Sequence, residues 1–189
     1  MLASAGLTFV DTEPLYLAPP QMAVAFQNGA LDAALILEPS ATQAIKRGSA
    51  VLFDYGHDFY PNQQTAVVLY GPSILKSRDV AQRFMNAYIR ACRDYNDALV
   101  DGRVAGKAGE EIIAIWIEST QIKDRDVLRT MTAHGVNPDG AVGLDSLRRD
   151  LAVFKVLGKV QGDVRVEDIV DNSYADAAAG KLGPYKRVQ

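Results

Sequence analysis

Apolar residues follow two different rhythms along this chain, and the change falls near Tyr70. Before it they come in short unbroken runs bounded by Gly and Pro: Leu15 to Leu17, Asp32 to Pro39, Ala50 to Tyr55 and Thr65 to Tyr70. Runs of that length without alternation predict strands covered on both faces, and parallel pairing is the natural arrangement for them. Helical spacing fills the gaps. Met22, Ala25 and Phe26 predict a helix from about Pro20 to Asn28 stopped by Gly29, and Pro39 opens a second one through Ala41, Ala44 and Ile45 that Gly48 ends. Leu2 to Gly6 reads as the last turn of a helix, with Gly6 in the left-handed cap position. The order strand, helix, strand, helix, strand predicts an α/β sheet with right-handed crossovers.

Beyond Gly71-Pro72 the three- and four-residue period takes over. Ser77 caps a long helix closing near Gly102, with Val80, Phe84, Ala87, Tyr88, Ala91, Tyr95 and Leu99 on one stripe that demands a partner surface. Further helices are predicted at about Gly109 to Glu118, Asp124 to Ala133, Asp145 to Leu157 and Glu167 to Ala179, the last stopped by Gly180. The polar and aromatic stretch Gly56 to Gln64 is expected to be a surface loop of functional type. The best internal boundary lies close to Tyr70. Residues 1–64 are expected to form an α/β unit, the candidate to bind a ligand, and residues 65–189 a strand followed by a helical region.

Composition narrows the function classes. The 189 residues are 48% hydrophobic, with 20 Lys and Arg against 23 Asp and Glu, as expected of a folded chain with room for a sizeable core. A net charge of -3 without any block of like charges lacks the electrostatic footprint of a nucleic-acid binder or a membrane-surface helix. The apolar runs fall far short of the ~18 to 20 residues that a spanning helix needs. The opening residues show no basic region followed by an apolar one, as an export signal would. Cys92 stands alone, and His57 and His134 lie far apart, so no metal site is expected and no cofactor motif is present.

Catalytic signatures are also missing: there is no Gly-x-Ser-x-Gly elbow, phosphate loop, His-Glu-x-x-His or dinucleotide fingerprint. Glu110-Glu111 are adjacent on a helix and point about 100° apart, so they suit a first turn favoured by the helix dipole better than an acid/base pair. The informative cluster is Gln21 to Phe26, Asp32 to Ala34 and Glu38 to Thr42. Open α/β sheets bind ligands at the carboxyl ends of their strands. Glu38 stands at such an end, where its carboxylate and the amides of Ser40 to Thr42 either hold a small polar molecule or cap the following helix. In the loop, Tyr55, Phe59 and Tyr60 either stack on a planar ligand or pack locally, with Asp58 and Gln63 or Gln64 as hydrogen-bonding groups. Cys92 and Trp116 are expected in the core, His57 on the surface, and His134 at a helix C-terminus.

Several of these segments, taken in order, carry a resemblance. Ala5-Gly-Leu-Thr, Pro20-Gln-Met-Ala-Val-Ala-Phe-Gln-Asn-Gly-Ala-Leu-Asp-Ala-Ala, Glu38-Pro-Ser-Ala-Thr, Gly48-Ser-Ala-Val, Gln64-Thr-Ala-Val-Val-Leu-Tyr-Gly-Pro and the helix beginning at Arg78 resemble the C-terminal portion of ABC-transporter substrate-binding proteins. The family is the nitrate/sulfonate/taurine and thiamine-pyrimidine (NMT1/THI5-like) one. The resemblance implies a periplasmic-binding-protein type II fold, here a second lobe with C-terminal helices and an incomplete first lobe, Thr65 to Tyr70 being a strand that crosses between them. It also implies a non-enzymatic, periplasmic protein that captures a small polar organic solute in a cleft and passes it to a membrane permease. The ligand-binding residues expected on this footing are Gln21, Glu38, Ser40, Thr42, Asp58, Tyr60 and Gln64. Self-association through the face left by the missing lobe is expected as well. The alternatives are an effector-binding regulatory domain and a pyrimidine-synthase-like enzyme, the latter without a matching His and Cys cluster.

Overall fold

The computed structural model of the chain describes residues 2–187. About half of them are helical: α1 (Pro19–Gln27), α2 (Ser40–Lys46), α3 (Gly56–Phe59), α4 (Pro72–Leu75), α5 (Arg78–Asp97), α6 (Gly109–Ser119), α7 (Arg125–Thr130), α8 (Leu144–Val156) and α9 (Ser173–Leu182). Short 3-10 turns occupy Leu2–Ala5, Phe9–Asp11 and Val166–Asp168. The sheet content of the described residues is one antiparallel hairpin, β1 (Leu99–Val100) with β2 (Arg103–Val104). Asp101 and Gly102, both at positive φ, make its turn, which is why the long helix stops at Asp97 instead of running on to Gly102.

Helix α5 is the spine. Its N-terminal half packs on α9, where Ile89, Ala175 and Ala178 are fully or almost fully buried beside Met85 and Tyr88. Its C-terminal end feeds a second cluster of Ala98, Val104, Ile113, Leu128 and Met131, with Tyr95, Ile112 and Trp116 packed against it. The two clusters lie on a face centred on Ala81, Ile89 and Cys92, about one residue round the helix from the expected stripe. Val80 and Phe84 of that stripe are exposed, whereas Tyr88 and Tyr95 are half-buried. The helix therefore has two apolar flanks: α9 packs on the one around Ile89, and Trp116 of α6 meets Tyr95 on the other.

Local signals account for the remaining helices. Asp124 accepts hydrogen bonds from the amides of Asp126 and Val127 at 3.0 Å each and so starts α7. Glu110, in the first turn of α6, ties that helix to α7 through Arg125 and Arg129. Helix α7 ends at Thr130, short of the expected Ala133, because Met131 turns extended and enters the core while the Ala133 amide bonds to the Gly102 carbonyl at 2.7 Å. Gly180 is inside α9, and the residue that closes this helix is Gly183 at φ 75°.

The expected α/β sheet is not formed. Residues 15–17, 33–37, 50–55 and 65–70 lie in no helix and in no ladder. Among the described residues, positions 31–36, 50–54 and 65–69 make no backbone-to-backbone hydrogen bond. A strand exists only through its neighbour, and these runs have none, so their side chains stay in water: Leu35 is 76%, Val51 89%, Phe53 84% and Leu69 84% exposed. Among the described residues the fold is mostly helical with a single hairpin, and both of its core clusters lie between Ile89 and Ala178.

Candidate functional site

The Glu38–Thr42 turn is built from α1 and α2 packing together, with Ala23, Thr42 and Ala44 buried at their contact. Glu38 lies just before α2. One carboxylate oxygen accepts the Thr42 amide at 3.0 Å, and the other accepts the Thr42 hydroxyl at 2.9 Å and the Thr132 amide at 3.4 Å. The carboxylate thus caps α2 and joins it to the strap after α7, while Lys46 and Asp126 pair across the same two helices. Ala41 donates its amide to the Leu37 carbonyl. Ser40 is half-buried in the first turn of α2. Gln21 lies at the start of α1, where its side-chain oxygen accepts the Ala18 amide at 3.0 Å.

The remaining expected site residues are held elsewhere, against α8. Tyr60 donates its hydroxyl to Asp150 at 2.9 Å, and the Arg149 guanidinium lies 4.7 Å from its ring centre. The Gln64 side chain accepts the Gly143 amide at 2.9 Å, and the Gln64 amide donates to the Ser146 hydroxyl at 2.8 Å. These bonds anchor the 56–64 segment on the start of α8, and Tyr70 anchors the next one by donating to the Ala81 carbonyl at 2.8 Å. Asp58 is exposed on α3 beside His57, whose ring stacks on Tyr55. Gln21, Glu38, Ser40 and Thr42 thus belong to the α1–α2 unit and Tyr60 and Gln64 to the α8 surface, with no hydrogen bond joining the two groups among the described residues.

Next to the Glu38–Pro39 turn the chain forms a cavity of about 440 Å³. Tyr88, Ala91, Cys92 and Tyr95 of α5 form one wall, Trp116 and Thr120 another, and Leu128, Met131, His134 and Val136 a third, with Pro39 at the edge. The Tyr95 and Trp116 rings are 5.9 Å apart at 45°. The strap from Met131 to Val136 is fixed by two hydrogen bonds from α5: Tyr95 donates its hydroxyl to the His134 carbonyl at 2.8 Å, and Asn96 donates to the Val136 carbonyl at 3.0 Å. The His134 ring nitrogen lies 3.5 Å from the Glu38 carbonyl oxygen, so the cavity and the turn share a border. Burial pushes the phenols of Tyr88 and Tyr95 up to about 12 each and also raises the Cys92 thiol. No Asp, Glu, Lys or Arg side chain stands in these walls.

Sequence reasoning did not assemble this cavity, although one signal for it was present. Tyr88, Ala91 and Tyr95 recur at three- and four-residue steps, which puts a small residue between two rings on one helix face and leaves a notch there. What spacing did not reveal is the opposite wall, because Trp116, Met131 and His134 reach it through the hairpin and the strap.

Among the described residues, no three His, Cys, Asp or Glu side chains converge to hold a metal ion, and no helix is long and apolar enough to cross a membrane. In comparison with known proteins, the chain matches no family model, no curated sequence and no solved structure.

Proposed function

We propose that the chain is a solute-binding component of an ABC importer, with a periplasmic-binding-protein type II ancestry, that captures a small polar organic solute at the Glu38–Thr42 turn. In this reading it works in the periplasm and hands its solute to a membrane permease, without making or breaking bonds. The observation that carries the reading is the bracing of that turn. Glu38 is tied at once to Thr42 in its own unit and to Thr132 of the helical half, so a ligand resting on the turn would be felt by both. The order of motifs around the turn supports the same reading, since it is the order found in the nitrate, sulfonate, taurine and thiamine-pyrimidine binding family. The exposed apolar runs at 33–37, 50–55 and 65–70 fit it too, as surfaces that further chain, including a second copy, would cover.

The test is a thermal-unfolding screen of the whole chain with taurine, a short alkanesulfonate, nitrate and an aminopyrimidine. One of them is expected to raise the melting temperature in a saturable way, and Glu38→Gln is expected to reduce that rise. No shift with any of the four would overturn the proposal.

A further inference from the structure

We propose that the cavity between α5, α6 and the Met131–Val136 strap is a binding site for an uncharged, planar ring compound. The inference stands apart from the importer reading, because of the Glu38–Thr42 turn only Pro39 reaches the cavity, at its edge, and neither Glu38 nor Thr42 lines it.

Three observations carry it. First, the cavity has the size of a small-molecule site, about 440 Å³, within the range such pockets usually span. It lies at the junction of rigid elements: Leu128 and Met131 belong to the buried core, and the strap is pinned by Tyr95 and Asn96. Second, Tyr88, Tyr95 and Trp116 supply ring faces and edges on two sides, with Ala91 leaving space between the tyrosines. Aromatic rings attract other rings in offset or edge-on arrangements, beyond the area they bury.

Third, the lining carries no carboxylate, guanidinium or ammonium. No Asp, Glu, Lys or Arg contributes to it, His134 is its one basic side chain, and two of its hydroxyls are already engaged: Tyr95 with the His134 carbonyl at 2.8 Å and Thr120 with the Trp116 carbonyl at 2.7 Å. A carboxylate or sulfonate entering this space would lose its water and find no guanidinium or ammonium in return. An uncharged ring loses little water and gains the packing. The pocket therefore discriminates by charge on otherwise similar rings.

Trp116 is the chain's single tryptophan, so its emission reports directly on the cavity. The experiment titrates the whole chain with 4-nitrobenzyl alcohol and, in parallel, with 4-nitrobenzenesulfonate, which carries the same quenching ring with a negative charge. Saturable quenching is expected with the alcohol, and at least tenfold weaker binding with the sulfonate. Ala91→Phe, at an exposed position of α5, is expected to fill the notch and weaken binding of the alcohol at least tenfold, whereas Ala87→Phe, one turn away and outside the lining, leaves it unchanged. If circular dichroism shows that Ala91→Phe has lost its helices, Ala91→Leu takes its place, with at least threefold weakening expected. Quenching that stays linear with concentration, equal binding of the sulfonate, or undiminished binding by the folded Ala91 variant would each overturn the proposal.

Discussion

Residues 2–70 and residues 78–182 are both rich in Val, Leu, Ile and Phe, yet they treat these side chains in opposite ways. In the second region Ile89, Ile113, Val127 and Leu128 are shut off from water between helices. In the first, Leu35, Val51, Phe53 and Leu69 are largely exposed, and buried positions are confined to Ala23, Thr42 and Ala44 where α1 meets α2. The difference lies in how each kind of element satisfies its backbone. A helix completes its hydrogen bonds internally and needs a neighbour only for its apolar stripe, which α5 and α9 provide for each other and α7 and the hairpin provide for α6. An extended run needs a neighbour even to become a strand, and its apolar side chains cannot be covered until that neighbour is in place. Hydrophobic content alone does not make a core.

The largest test of this contrast is a pair of truncations. Ile113→Ala removes a fully buried side chain and is expected to lower unfolding free energy by about 2–5 kcal/mol. Phe53→Ser deletes more apolar surface but from an exposed position, and is expected to stay within about 0.5 kcal/mol of the parent. Denaturant unfolding of both variants measures the two effects, and a Phe53→Ser loss as large as that of Ile113→Ala would break the comparison.

A second pair probes tightness with glycines. A Cβ at Gly106 would sit 2.9 Å from the Asp97 carbonyl oxygen and 3.1 Å from the Ala98 backbone, where no flexible side chain can yield. Gly106→Ala should cost about 1–3 kcal/mol. Gly56, at the start of α3, has nothing within 4 Å of that point and an ordinary φ, so Gly56→Ala should change stability by less than about 0.5 kcal/mol. Thermal unfolding of the two variants orders them, and equal losses would mean that the helical half is no more tightly packed than the first region.

The smallest effect concerns the surface pairing of α6 with α7. Hydrogen bonding from Arg129, followed by the charges of Arg129 and Arg125, holds the Glu110 carboxyl below the ordinary glutamate value of 4.5. A carboxyl depressed in the folded state contributes stability above its unfolded value and loses that contribution as pH falls through its folded one. Glu110→Gln should therefore melt slightly below the parent near neutral pH, and the two melting curves should converge in acid. Because the pair is fully exposed, added salt should narrow the gap as well. A gap that persists at low pH would assign the effect to packing instead of charge.

How much of this was legible in advance depends on the range of the interaction. Short-range signals were read closely: Asp124 before α7, Pro and Gly around α1 and α2, and the left-handed Gly6 all act within one turn of the residues they organise, while Ser77 holds the position before α5 without a side-chain cap bond. Errors arose where a distant partner decides. Gly180 was expected to stop α9 but lies within it, and the buried face of α5 is turned by about one residue, because the positions of α9 and α6 select which apolar flank is covered. The turn around Glu38 was placed by its motif, while Thr132, ninety-four positions away, completes the bonding of its carboxylate only in space.

By itself, then, the sequence determined where most of the longer helices lie, though not each of their ends, and where the texture changes near Tyr70, since propensity, capping and periodicity are properties of neighbouring residues. Tertiary structure alone decided that the apolar runs before Tyr70 stay unpaired, and that Tyr88, Tyr95 and Trp116 line one open cavity free of Asp, Glu, Lys and Arg. Both outcomes depend on which surfaces meet, and a pattern along one chain states what each surface offers without stating what covers it.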